Sequence, residues 1–247
     1  MPAVYPKMIL FDYGHTLLYE PGWDAGRGNM ALLKHATKND GNCTADDIAA
    51  QIEASLGTVL DDVRELGYDI TGQVYHRFLY ASLGIEFSLS PLEMEIAFWN
   101  GASAGALMPG ADKMIDYVNQ NGIRSAVISN LLWSGEALSA RLDRMLPRNR
   151  FEFVITSSDY LFRKPNRLLF ELALRKAGVT AEDAWYCGDN PVADVYGAAQ
   201  AGIFPVWYDN ATVRDPADAE AKPKPECEHL YAREWDDVIA ELEWLKR

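Results

Sequence analysis

Apolar residues gather in five short runs, at 7–11, 123–129, 151–155, 184–187 and 204–208, each bounded by Gly, Asn or Asp. Unbroken apolarity over such lengths predicts strands covered on both faces, as in a parallel sheet between two helical layers. Between the runs, residues 111–121, 168–177 and 192–201 have helical spacing and stop at Gly122, Gly178 and Gly202. Glycine closes helices because it adopts the left-handed conformation without strain. Thr180-Ala181-Glu182-Asp183 resembles a capping box at the start of the next unit. The alternation from 111 to 208 predicts a doubly wound, Rossmann-like α/β domain.

Residues 20–100 break the alternation. Helical spacing recurs at about 25–38, 45–66, 71–83 and 91–99. Ser90-Pro91-Leu92-Glu93 supplies a cap, a first-turn proline and a carboxylate that reaches back. No convincing strand separates these stretches. The expectation is an inserted α-helical cap domain over 19–103, on a core of 1–18 plus 104–247. An insertion that leaves and re-enters at the strand tips stands above them, where a lid excludes water. Residues 209–228, with Pro216, Pro223 and Pro225, read as a long surface loop. A final helix over 235–245 packs through Trp235, Val238, Ile239, Leu242 and Leu245.

Composition narrows the function classes. The chain has 247 residues, 49% hydrophobic and 24% charged, ordinary for a globular protein. A net charge of −13 argues against a nucleic-acid partner, which selects clustered Lys and Arg. Lys7 precedes only four apolar residues, short of a secretory signal, and no apolar segment approaches bilayer length. The expectation is a cytoplasmic protein without a membrane partner. Cys43, Cys187 and Cys227 are odd in number and form no CxxC pair, so they read as reduced thiols. The oligomeric state is left open.

The candidate chemistry lies at the ends of the runs. Asp12 follows the first, Ser129 ends the second, and Lys164 and the pair Asp189 and Asp194 follow later ones. In open α/β sheets, ligands bind at the carboxyl ends of the strands. The motifs are Ile9-Leu10-Phe11-Asp12-Tyr13-Gly14-His15-Thr16, Ala126-Val127-Ile128-Ser129-Asn130, Arg163-Lys164-Pro165 and Gly188-Asp189-Asn190-Pro191-Val192-Ala193-Asp194. In this order, with a helical insertion after the first, the chain resembles the haloacid dehalogenase-like hydrolase superfamily over residues 7–208. The resemblance implies a parallel sheet in order 3-2-1-4-5. It implies that Asp12 attacks phosphorus to form an acyl-phosphate, which splits one hard displacement into two easier ones. Asp12, Asp189 and the Gly14 carbonyl would hold Mg²⁺, with Asp194 in the same set or orienting a neighbour. Ser129, Asn130 and Lys164 would bind the phosphoryl group, Lys164 also acting in catalysis. Thr16 would hydrogen-bond within the first loop, and Arg163 reads as solvent-facing.

The chain departs from that family's phosphatases at Gly14, where they carry a second Asp as general acid. His15 replaces a usual Gly and is a candidate substitute acid, because imidazole titrates near neutrality. Dehalogenases of the superfamily also lack the second Asp and use no metal, but Gly188-Asp189 followed by Asp194 keeps the acids expected around a cation. The expectation is therefore a Mg²⁺-dependent phosphatase of small phosphorylated metabolites. The alternatives are a metal-independent 2-haloacid dehalogenase, or a protein that binds a phosphorylated ligand without turning it over. Trp23, Arg27, Tyr75, Arg77 and Trp99 are candidates for substrate contact from the insertion.

Overall fold

The computed structural model describes residues 3–210, 213 and 224–247, so most of the loop expected at 209–228 lies outside the described residues. Each apolar run becomes a strand: β1 (Met8–Phe11), β2 (Arg124–Ser129), β3 (Val154–Thr156), β4 (Ala184–Gly188) and β5 (Phe204–Tyr208). A further strand, β6 (Leu230–Ala232), pairs parallel with β5. The sheet order is β3-β2-β1-β4-β5-β6, parallel throughout. The expected order 3-2-1-4-5 is present, with one edge strand added beyond it. Leu230-Tyr231-Ala232 is short and half exposed, as edge strands often are, so it leaves no continuous apolar signal.

Alternation along β1 explains why its run is unbroken. Ile9 and Phe11 pack on one face with Val127, Trp185, Met114 and Leu242. Met8 and Leu10 pack on the other with Ile128, Tyr186, Leu169 and Phe170. With both faces covered, no position tolerates a polar side chain until the strand ends. The three expected glycine stops all adopt positive φ. Thr180 departs from expectation: residues Ala181–Asp183 form a 3₁₀ turn that Thr180 does not cap.

Between β1 and β2, the strand Leu18–Tyr19 pairs antiparallel with Ala106–Leu107, so the chain leaves and re-enters side by side. The intervening helices are Ala25–Leu33, Ala45–Ser55, Val59–Glu65, Gly72–Ser82 and Pro91–Ala102. The expected helix over 25–38 ends early, because Ala36–Lys38 pairs antiparallel with Glu86–Phe87. The segment is thus not purely helical. Ser90 forms the expected capping box with Glu93, with Pro91 in the first turn. Helix Ala25–Leu33 crosses Pro91–Ala102 closely enough that a Cβ on Gly101 would lie 2.6 Å from the Ala31 Cβ. No helix among the described residues is long and apolar enough to cross a membrane.

Three carboxylates of this segment hold the sheet domain. Glu20 accepts from Arg141 Nη2 at 2.6 Å. Asp69 accepts from the Ser157 hydroxyl at 2.6 Å and from Arg163 Nη1. Glu95, fully buried, accepts from the Ser134 backbone N–H at 3.1 Å, the Ser134 hydroxyl and Gln73 Nε2. Ser134 in turn caps the helix Gly135–Met145. Removing a buried acceptor leaves its donors desolvated and unsatisfied. Glu95→Ala is therefore expected to destabilise the protein by about 2–3 kcal/mol in denaturant unfolding, and an effect within the range of surface substitutions would show that these donors find other partners.

Candidate active site

Lys164 sits at the centre of the site, with its side chain 2% exposed. Its ammonium donates to Asp12 Oδ1 at 2.7 Å, Asp194 Oδ1 at 2.6 Å and the Tyr186 hydroxyl at 2.6 Å, with the Ile128 carbonyl at 3.2 Å. Tyr186 can accept because its own proton goes to the Ile128 carbonyl at 2.8 Å. The Lys164 backbone is held from β2: Asn130 Nδ2 donates to the Lys164 carbonyl at 2.9 Å, and Asn130 Oδ1 accepts its N–H at 2.8 Å. Burial disfavours the ammonium, but the Asp12 and Asp194 carboxylates outweigh it and raise the Lys164 pKa. This is a permanently charged group in a dry place, which requires paired counter-charges.

Asp12 extends β1, and its N–H donates to the Cys187 carbonyl of β4 at 2.9 Å. Its carboxyl pKa is raised from 3.8 to about 6. Burial is the largest cause; Lys164 opposes it, and repulsion from Asp194 and Asp189 adds to it. Asp194 lies on a π-helical turn, Pro191–Tyr196, that Asn190 caps. Its Oδ1 accepts from Lys164 at 2.6 Å and lies 3.2 Å from the Tyr186 hydroxyl, and its Oδ2 accepts from the Asn190 N–H at 2.9 Å. Glycine at 188 makes this approach possible, since a Cβ there would lie 2.4 Å from the Asp194 Cγ.

Asp12, Asp189 and Asp194 each offer a carboxylate oxygen, all within 4.8 Å of one another. Three carboxylates against one ammonium leave an excess of negative charge, and an all-oxygen set suits a hard divalent cation. The residues present therefore fit Mg²⁺. Because Lys164, Tyr186 and Asn190 engage both Asp194 oxygens, Asp194 faces the ammonium rather than a cation alone.

The remaining expected residues are placed as follows. Ser129 is buried at the end of β2. Gly14 stands two residues beyond Asp12, and a Cβ built there meets nothing within 4 Å among the described residues. His15 adopts a positive φ of 52°, and its Nδ1 lies 3.4 Å from the Val213 carbonyl. Thr16 departs from expectation, because its hydroxyl is buried without a hydrogen-bond partner among the described residues. Arg163 is not solvent-facing: its side chain is 21% exposed and bound to Asp69.

A cavity of about 410 Å³ adjoins this cluster, lined by residues that include Tyr13, Asn130, Trp133 and Arg163 from the sheet domain and Glu20, Trp23, Arg64 and Trp99 from the inserted segment. Trp23 and Trp99, two of the candidates for substrate contact, line this cavity. Arg27 instead donates to the Gly22 and Ala102 carbonyls. Tyr75 packs edge-on to His76, and Arg77 lines a separate cavity of about 450 Å³ inside the inserted segment. Glu20, Arg64 and Trp133 were not foreseen. No motif marks them, because they meet only when the insertion folds over the sheet.

Residues 99–207 match the family described as haloacid dehalogenase-like hydrolase. A glyceraldehyde 3-phosphate phosphatase from Methanopyrus kandleri is 32% identical over 96% of this chain and 98% of its own length. A ribulose-1,5-bisphosphate 5-phosphatase from Halopiger xanaduensis is 25% identical over 95% and 96%. Among solved structures, the 2-haloacid dehalogenase of Pseudomonas syringae pv. Tomato superposes with a TM-score of 0.61 at 20% identity, covering 98% of this chain and all of its own.

The raised Asp12 pKa has a definite sign. With the folded value above the unfolded one, its contribution to stability is complete below about pH 4 and is lost as pH rises through about 6. In chelator, Asp12→Asn is therefore expected to gain melting temperature over the parent progressively across that window. A gap that stays constant with pH would show that ionised Asp12 is not strained by its surroundings.

Proposed function

The chain belongs to the haloacid dehalogenase-like hydrolase family, and from that premise we propose that it is a phosphatase of small phosphorylated metabolites working through an aspartyl-phosphate on Asp12. The observation that carries this reading is the buried Lys164 ammonium joining Asp12 to Asp194, with Asp189 within reach of the same point. Phosphatase relatives that match nearly end to end support it. The dehalogenase likeness is a likeness of fold.

In the proposed reaction, Lys164 holds Asp12 Oδ1 and the other carboxylate oxygen attacks phosphorus. The bond from phosphorus to the ester oxygen breaks, that oxygen leaves with the electron pair, and water later hydrolyses the acyl-phosphate. Lys164 supplies positive charge to the phosphoryl oxygens, and Ser129 donates its hydroxyl to one of them. Asn130, with both ends of its amide on the Lys164 backbone, acts by positioning Lys164 as well as by bordering the substrate cavity. Asp12, Asp189 and the Gly14 carbonyl would hold Mg²⁺, with Asp194 fixing the ammonium beside it; the cation supplies charge neutralisation and alignment of the phosphate. The inserted segment, residues 19–103, serves as a cap that excludes water.

Gly14 leaves the departing oxygen without the family's acid, and general acid catalysis is typically worth about 10²–10⁴-fold. His15 is the candidate substitute, although its Nδ1 faces the Val213 carbonyl. The open space at Gly14 allows the acid to be restored. A screen of phosphate esters with Mg²⁺ is expected to show phosphate release that falls by about 10³-fold or more in Asp12→Asn. Aryl esters should far outpace alkyl esters, and Gly14→Asp should raise alkyl-ester turnover by about 10-fold or more. A flat dependence on leaving-group acidity in the parent would refute the missing-acid reading, and loss of turnover in His15→Ala would then assign the role to His15. Chelator-resistant halide release from chloroacetate would replace the phosphatase with a dehalogenase.

A further inference from the structure

The cavity beside Asp12 holds a positive charge that the phosphoryl chemistry does not use. Asp69 is buried, its Oδ2 bound to Ser157 and Arg163, and Arg64 Nε lies 3.8 Å from its Oδ1. Two guanidinium groups therefore share one buried carboxylate. Arg64 has a second acid nearby, Asp61, at 3.9 Å, but that carboxylate is 75% exposed and the pair is screened by solvent. The other acid of the cavity, Glu20, is neutralised by Arg141 and also accepts from Trp99 Nε1 and the Tyr13 hydroxyl. What remains is a net charge of one positive unit facing a space walled by Trp23, Trp99 and Trp133.

Among the described residues, neither Arg64 Nε nor the Asp69 Oδ1 that it faces at 3.8 Å has a hydrogen-bond partner, so the shared carboxylate answers the two guanidinium charges incompletely. A buried donor on a charged group is costly unless an acceptor reaches it. Guanidinium presents a planar fork that matches a carboxylate or phosphate and binds it with two parallel hydrogen bonds. Three residues of the cavity wall are tied to the catalytic cluster: Arg163 directly precedes Lys164, Asn130 clamps Lys164 and Tyr13 follows Asp12. In the proposed orientation, with phosphorus at Asp12, a group bound at the two arginines belongs to the part of the substrate that departs from phosphorus.

We propose that the substrate is a phosphate monoester whose leaving group carries a second anionic group, a carboxylate or another phosphate, recognised by Arg64 and Arg163. This specificity rests on the phosphatase reading. Neutral polyol or alkyl esters leave the surplus charge unanswered and bind more weakly. Arg64 is the better site for a test, since it lies at the end of the helix Val59–Glu65 with its side chain 35% exposed, whereas Arg163 also supports the buried Asp69.

Calorimetric titration of the Asp12→Asn protein with phosphoglycolate, propane-1,3-bisphosphate and propyl phosphate tests this without turnover. At least one two-anion ligand is expected to bind about 10–100-fold more tightly than propyl phosphate, and the tighter of the two identifies the second group. Adding Arg64→Gln is expected to shrink that preference to about 3-fold or less. Equal affinities, no binding of any of the three, or a preference that survives Arg64→Gln would overturn the proposal. Phosphate release by the parent chain is scored separately. Preference without release would retain the anion site and remove the hydrolase reading, and release without preference would do the reverse.

Discussion

An ammonium group buried among three strand ends is the constraint on which the site depends. Lys164 cannot lose its charge without leaving Asp12 and Asp194 to repel each other, and it cannot keep that charge without them. Its position is therefore dictated from several directions at once. Asn130 at the tip of β2 fixes its backbone, Asp12 at the tip of β1 takes one proton, and Tyr186 of β4 takes another. Asp194 reaches it only because residue 188 has no side chain. Disturbing any of these members misplaces the others, since the parallel sheet sets their spacing. The same arrangement leaves the carboxylates in excess; burial is the larger cause of the raised Asp12 pKa, the excess adds to it, and it suits the cluster to a cation.

A second set of charges works at larger scale. Glu20, Asp69 and Glu95 come from different parts of the inserted segment, and each meets a donor of the sheet domain. Glu20 and the Asp69 partner Arg163 also line the cavity of about 410 Å³. Arg141 also stacks 4.6 Å over the Trp99 ring, so apolar packing and ion pairing coincide at that seam. Parting the segment from the sheet would expose these groups to water, which solvates them well. Such polar seams close firmly yet open at lower cost than an apolar interface of equal area, because water replaces what the partner gave. That behaviour suits a segment proposed to admit substrate and then exclude solvent.

Much of this was legible in the chain because the signals were local. Runs buried on both faces announced β1 to β5, and glycine stops placed the helix ends. Polar residues at run ends named Asp12, Ser129, Lys164, Asp189 and Asp194. The misses share one cause, since each depends on a partner distant in sequence. Strand β6 is too short and exposed to declare itself and exists by pairing with β5. Ala36–Lys38 has helical spacing but is drawn into pairing by Glu86–Phe87. Arg163 reads as a surface residue until Asp69 arrives from 94 positions away. Arg27 has the character of a substrate ligand, yet local carbonyls consume its donors. The residues with clear motifs are those whose roles are set by the strand that carries them; the cavity wall is set by how the inserted segment folds back.

Gly14 and the cavity's surplus charge bear on the same chemical difficulty. An ester oxygen departing from phosphorus gains negative charge, and the family's usual remedy is a proton from the residue at position 14. Without that proton, stabilisation must come from fixed charge close to the leaving group or from a leaving group that is already a good one. In the substrate orientation proposed above, the positive unit left on Arg64 and Arg163 meets the departing part of the ester, and an anionic substituent drawn to it would be held in one orientation relative to Asp12. Orientation of that kind is among the larger contributions available to an enzyme, reaching about 7–11 kcal/mol in favourable intramolecular cases, more than a single general acid provides. A chain that has exchanged its acid for glycine thus gains most from substrates that can be gripped at both ends. The missing carboxylate and the paired arginines are then two halves of one selection for leaving groups that carry charge.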